Sequence, residues 1–113
     1  MKRTVFITAK LQDNYFELIK NGTKKYEVRD ESFIDAQVIR YISSSSGNEL
    51  GFFFLGKKFK KKRDEDRELI AMAAVPEIEF HRLFPPADQG GPSDLWVAEI
   101  LEQTSIVNAF KGE

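Results

Sequence analysis

Residues 21–32, NGTKKYEVRDES, crowd Lys24, Lys25, Glu27 and Arg29 around one tyrosine and one valine. If this stretch is extended, side chains alternate between two faces. Lys25, Glu27 and Arg29 then share one face, and Lys24, Tyr26 and Val28 the other. Glu27 and Arg29 would stand two rises apart, roughly 7 Å. A guanidinium offers a planar fork to phosphate or carboxylate. A carboxylate beside it takes a proton from water or accepts a hydrogen bond from a base edge, while the two lysines raise the local potential. The competing reading is that Glu27 and Arg29 pair with each other and brace the end of the sheet, since half-buried charges persist by pairing.

The elements around this segment must position it. TVFITAKL alternates Val5, Ile7 and Ala9 against Phe6, Thr8 and Lys10 and reads as a strand. QDNYFELIKNG changes period: Tyr15, Leu18 and Ile19 share a helical face, Asn14 with Glu17 forms a capping box, and Gly22 supplies a left-handed stop. A helix this short must lean on a sheet. AQVIRYIS, LGFFFLG and LWVAEIL read as further strands, with SSSSGNE and FPPADQGGPSD as loops. ELIAMAAVPEIEF is apolar and reads as extended, bent at Pro76, although Ala71–Ala74 also suit a helix. TSIVNAFKGE closes the chain as a strand end or a short helix. One early helix among many short strands, without βαβ alternation, predicts an α+β chain forming a small mixed β-barrel capped by one short N-terminal helix.

Bulk properties bound the partners. The 113 residues fit a single domain spanning 1–113, and an apolar fraction of 42% with ten phenylalanines is enough for a core. Net charge is −1, from 17 basic and 18 acidic residues, so any nucleic-acid binding needs a local patch. The chain has no cysteine, which excludes disulfides, thiol catalysis and cysteine-ligated zinc and matches a reducing cytoplasm. The start lacks the apolar run of a signal peptide, and no stretch reaches membrane-span length. A soluble cytoplasmic protein without cofactor is expected.

Other candidates are weaker. KKFKKKRDEDRE, residues 57–68, sets Phe59 within Lys57, Lys58, Lys60, Lys61, Lys62 and Arg63. An aromatic among cations suits single-stranded RNA. The acidic run after it cancels most of the field, and the block reads as a solvated hairpin tip. His81 is the sole histidine and lacks metal-ligating companions, so no metal is expected. Trp96 sits in an apolar strand and reads as core. Ser43–Ser46 read as loop, with no nucleophile turn around them.

YFELIKNGTKKYEVR, residues 15–29, resembles the signature of the ASCH family, whose members have a PUA-like β-barrel. The apolar helix, the glycine, and the spaced charges match at Gly22, Lys24, Lys25, Glu27 and Arg29, and DLWVAEI resembles the family's closing strand. The Gly-Asp pair that often precedes the next strand in the family is absent here, where FIDAQVIRYI stands instead. The resemblance implies RNA or a nucleotide-like small molecule as partner, bound in a cleft beside the helix-to-strand turn by Lys24, Lys25, Glu27 and Arg29. Some small members resemble amidohydrolases acting on an acetylated cytidine nucleoside through a lysine, a threonine three residues on, and a distant glutamate. Lys24 occupies the lysine position and Glu27 the threonine position, and a carboxylate is a poor replacement for a hydroxyl nucleophile. A hydrolase acting on a modified nucleoside or on RNA would therefore rest on Lys24 and Glu27, with Glu77 or Glu99 as a second carboxylate. A protein-interaction module is the third reading.

Overall fold

Alternating side chains build the sheet wherever a strand must face two environments, and the pattern yields to helices where apolar residues recur at three and four. The computed structural model describes residues 5–63 and 66–105. The elements are β1 (Phe6–Leu11), α1 (Asp13–Lys20), β2 (Tyr26–Arg29), β3 (Val38–Ser43), β4 (Glu49–Lys62), α2 (Asp66–Ala73), α3 (Glu77–Leu83), a 3-10 turn (Ala87–Gln89) and β5 (Asp94–Thr104). Of TSIVNAFKGE, Thr104 ends β5 and residues 106–113 lie outside the described residues.

The strands form one sheet in the order β1-β3-β4-β5-β2. β1 runs parallel to β3, and the other neighbours are antiparallel. β4 and β5 are long, 14 and 11 residues, and their pairing slips between Phe53 and Leu55 and again between Leu55 and Lys58. Such bulges bend a strand and sharpen its twist, so the sheet curls into a half-barrel whose free edges are β1 and β2.

Adjacent residues of β5 serve opposite faces. Ala98 points inward to a cluster holding Phe16 and Ile19 of α1 with Phe33, Ile39, Tyr41, Phe53 and Leu55. Phe16, Tyr41 and Phe53 meet edge to face, with ring centroids 5.8–6.3 Å apart. Gly51 lets α1 lie this close: a β-carbon there would come within 3.0 Å of the Phe16 ring. Val97 points outward to Val28, Leu69, Ala73, Phe80 and Leu95, so α2 and α3 cover the back of β2 and β5. The α+β mixed barrel capped by α1 is thus the architecture, with two further helices behind it.

Those helices correct the extended reading of 68–80. Leu69 and Ala73, four apart, are both buried, which a helix places on one face and an alternating strand does not single out. Pro76 caps α3 rather than sitting at a strand edge. Proline suits a helix start because the donor it lacks has no intrahelical partner there, and its carbonyl accepts the Phe80 N–H at 2.9 Å. The basic run is not a hairpin tip. It is the second half of β4, with Lys58 opposite Ala98 and Lys60 opposite Trp96, and Phe59 between them packs on the outer cluster. Arg63 leaves the run altogether and is buried, its side chain 4% exposed. Gln12, not Asn14, caps α1, with no side-chain cap. Ser43 ends β3 and is buried, and its hydroxyl donates to the Asp13 carboxylate at 2.6 Å.

Truncating Phe80, fully buried under α2, should lower the unfolding free energy by about 3–5 kcal/mol. Ile78→Ala, at a residue 85% exposed, should stay within about 0.5 kcal/mol. Urea denaturation of the two variants measures the difference, and comparable losses would contradict a helical face at 77–83.

Candidate functional site

The turn after α1 fixes Lys24. Gly22 takes a left-handed conformation (φ 84°), which a side chain would disfavour. Asn21 accepts the Thr23 N–H on its side chain at 2.9 Å, and the Lys24 N–H bonds the Leu18 carbonyl at 2.9 Å. The Lys24 side chain then turns inward until only 5% of the residue is exposed. Its ammonium donates to the Ala73 carbonyl at the end of α2, where the negative pole of the helix favours a cation. Burial holds its pKa below the ordinary lysine value, and the charge of Glu27 offsets part of that effect.

Glu27 enters from β2. Its Oε1 accepts the Tyr41 hydroxyl at 2.7 Å. Tyr41 is fully buried, and burial first, then the Glu27 charge and hydrogen bond, push its pKa well above the usual tyrosine value. Tyr41 therefore stays a neutral donor, and Glu27 keeps Oε2 for another partner. Lys24 and Glu27 both border a hollow of about 160 Å³ in the seam between the edge strands β1 and β2. Lys10, Leu11 and Tyr15 form one side of it, and Ala73, Val75 and Phe84 the other. A second hollow of about 190 Å³ shares Lys10, Leu11, Tyr15 and Leu83 and continues the groove toward Glu79 and Arg82. Arg82 and Gln12 hydrogen-bond the Glu79 carboxylate, and the Arg82 bond holds it below the usual carboxylate range. The Tyr15 phenol is raised, by burial first and then by Glu79.

Lys25 and Arg29 lie elsewhere. Lys25 is exposed, and its carbonyl accepts the Ile100 N–H at 2.9 Å. Arg29 stands opposite Trp96 on β5. Its guanidinium lies 5.7 Å from the Phe33 ring centroid and 3.7 Å from Glu31, and Nη1 is buried without a hydrogen-bond partner. Glu27 and Arg29 do not pair with each other, because Tyr41 takes the carboxylate and Glu31 the guanidinium. Glu77 is exposed at the start of α3, while Glu99 accepts the Lys57 N–H at 2.8 Å, and neither borders the seam. His81 lies 3.4 Å from Asp66. No group of three or more metal-ligating side chains occurs among the described residues, and no described helix is long and apolar enough to cross a membrane.

Sequence reasoning missed Tyr41, Tyr15 and Lys10. Tyr41 had a signal: a tyrosine at a buried position of an alternating strand needs a partner for its hydroxyl. An ammonium and a carboxylate on one hollow, with an adjustable proton on the lysine, can bind a polar edge or relay a proton.

Two measurements test this geometry. Tyr41→Phe removes the donor to a carboxylate and should cost about 1.5–3 kcal/mol of unfolding free energy; a neutral result in denaturant titrations would contradict the bond. Between the lowered folded pKa of Lys24 and the ordinary lysine value of 10.5 in the unfolded chain, the unfolded chain binds more protons, so this group makes stability rise with pH. Denaturation across alkaline pH should show the stability of wild type rising relative to that of Lys24→Met, the tyrosines being common to both. Parallel curves would mean that Lys24 is not desolvated.

The sequence matches no family model and no curated protein. The fold is similar to the crystal structure of ASCH from Zymomonas mobilis, with a TM-score of 0.67 and 14% identity over 89% of this chain and 73% of that one. It is equally similar, at 13% identity and 0.67, to a tyrosine-to-phenylalanine and a serine-to-alanine mutant of the Zymomonas mobilis protein. These matches cover 89% of this chain and 76% and 74% of the mutant chains respectively. The curled mixed sheet with a helix on its inner face therefore shares the fold of these ASCH structures.

Proposed function

We propose that the protein binds a nucleotide-like ligand, free or within RNA, in the seam between β1 and β2. The observation that carries this reading is the meeting of the Lys24 ammonium and the Glu27 carboxylate on one hollow. The ammonium has a single carbonyl partner, and the carboxylate has one oxygen uncommitted. Together the two connected hollows approach the lower end of small-ligand sites, about 300 Å³, which suits a nucleoside rather than a larger cofactor. In this reading Glu27 accepts from a base or sugar donor, and Lys24 meets an acceptor or an anionic oxygen. Lys25 raises the potential outside the seam, and Arg29, turned to Phe33 and Trp96, takes no part in it.

The lowered lysine beside a carboxylate also favours a second reading, hydrolysis of an acylated nucleoside amide. Glu27 would take a proton from a water that attacks the carbonyl, and the Lys24 ammonium would return one to the departing amine. No hydroxyl stands at the position of Glu27, so water is the nucleophile in this scheme.

Calorimetric titration with cytidine and uridine monophosphates tests the binding reading. Wild type should bind, and Glu27→Gln should bind roughly tenfold or more weakly, as expected for losing a charge-assisted hydrogen bond, at a temperature where the variant is still shown folded by circular dichroism. Equal affinity in the two proteins, or no binding by wild type, would overturn the proposal. Release of acetate from an N-acetylated cytidine in the same samples, abolished by Glu27→Gln, would favour the hydrolase.

A further inference from the structure

From a second surface, at the far end of β2, we infer that the protein carries a stacking platform for single-stranded nucleic acid, separate from the seam. Arg29, Trp96 and Lys60 stand in one row across β2, β5 and β4, each opposite the next. Lys58 lies on the same side of β4, two residues back, opposite Ala98. Lys58, Lys60 and Trp96, with Phe59, Ser32, Phe33 and Ile34, surround a hollow of about 280 Å³ that no carboxylate lines, and Arg29 stands beside it against Phe33.

Several features of this hollow point to a ligand. Lys58 and Lys60 make no ion pair with any described residue, whereas Lys61, on the opposite side of the strand, pairs with Glu68 at 2.9 Å. The Lys60 ammonium lies 5.7 Å from the Trp96 ring centroid. Such an exposed cation–π contact is weaker than a stacked base, so a base can take the ring while the ammonium moves to a phosphate. Ile34 stands at the lip, 77% exposed and in the left-handed region (φ 54°), which a β-branched residue rarely adopts. Arg29 holds one buried nitrogen without a partner and leans on Phe33. The nearest paired acid is Glu31, 3.7 Å from Arg29 and largely exposed, so solvent screens that pair.

An aromatic plane flanked by cations recognises the shared chemistry of single strands, a π-face on every base and a phosphate between bases. It does not require base edges, so the platform is sequence-tolerant. Trp96 and Phe59 both line the hollow while packing against the core, Trp96 on the inner cluster and Phe59 on the outer, and it is the Trp96 ring that meets the Lys60 ammonium. An overall charge of −1 does not oppose this, since the field that matters is that of the patch.

Trp96 is the only tryptophan of the chain, so its fluorescence reports this surface alone, while mononucleotide calorimetry reports the seam. The two readings can therefore fail separately. Titration with oligo(U) and with oligo(dT) should quench the emission, and the two arms show whether the sugar matters. With Arg29, Lys58 and Lys60 as phosphate partners, log Kobs against log salt should fall with a slope of about −2. The double variant Lys58→Gln/Lys60→Gln should flatten that slope to about −0.7. Trp96→Ala should weaken a labelled oligonucleotide roughly tenfold, measured by anisotropy, with Trp96→Phe retaining most of the affinity as the folded aromatic control. The inference is overturned if the oligonucleotides leave the emission unchanged, or if the double variant keeps the wild-type salt slope. It is equally overturned if poly-glutamate competes as well as the oligonucleotides do, which would make the patch a site for acidic polypeptide.

Discussion

The helical layer is held to the sheet by one guanidinium. Arg63, at the end of β4, donates to both oxygens of Asp66 at the start of α2. It also reaches the Phe84 carbonyl beyond α3 and the carbonyls of Pro85 and Pro92 in the loop before β5. Its plane rests 5.6 Å from the centroid of the Phe80 ring. A guanidinium so deeply buried is tolerated only when its donors are met, and here the acceptors come from the start of α2, the end of α3 and the loop before β5. The charge therefore constrains arrangement: α2 and α3 must sit where Asp66 and Phe84 can both be reached. Since Ala73, Val75 and Phe84 then form one side of the seam, this distant contact sets the width of the candidate site.

The seam itself is built from polar groups that the fold leaves partly unmet. Lys24 is withdrawn from water against a single carbonyl, and its lowered pKa records the cost, which Glu27 offsets only in part. Tyr41 spends its one proton on Glu27 and keeps one carboxylate oxygen oriented. An incoming ligand that offers an acceptor to the ammonium and a donor to the carboxylate would complete both shells without moving either group. Such preorganisation reduces the ordering cost of binding.

β2 links this seam to the opposite end of the sheet. Lys25, Glu27 and Arg29 share a face by strand alternation, yet they reach three environments: solvent, the buried Tyr41 hydroxyl, and the aromatic rim at Phe33 and Trp96. The strand is four residues long, and the sheet curls around it, so neighbouring positions on one face open onto different hollows. Proximity in sequence is thus no guide to a common ligand here.

Residue pattern alone determined the period-two strands and the amphipathic α1 with its glycine stop, because these are local consequences of alternation and a left-handed residue. Alternation put Lys24 and Glu27 on opposite faces, and only the packing of α2 against the turn brings both to one hollow. The pattern misread residues 68–80, where alanines and a proline are compatible with strand or helix and only the apolar back of β2 and β5, exposed unless covered, decides for helices. It likewise treated Lys57–Arg63 as one charged block. Pairing with β5 splits that block, sending Lys58 and Lys60 toward Trp96, Lys61 toward Glu68 and Arg63 into the interior. Which charges stay in water and which are buried depends on contacts tens of residues apart, and only tertiary packing selects those.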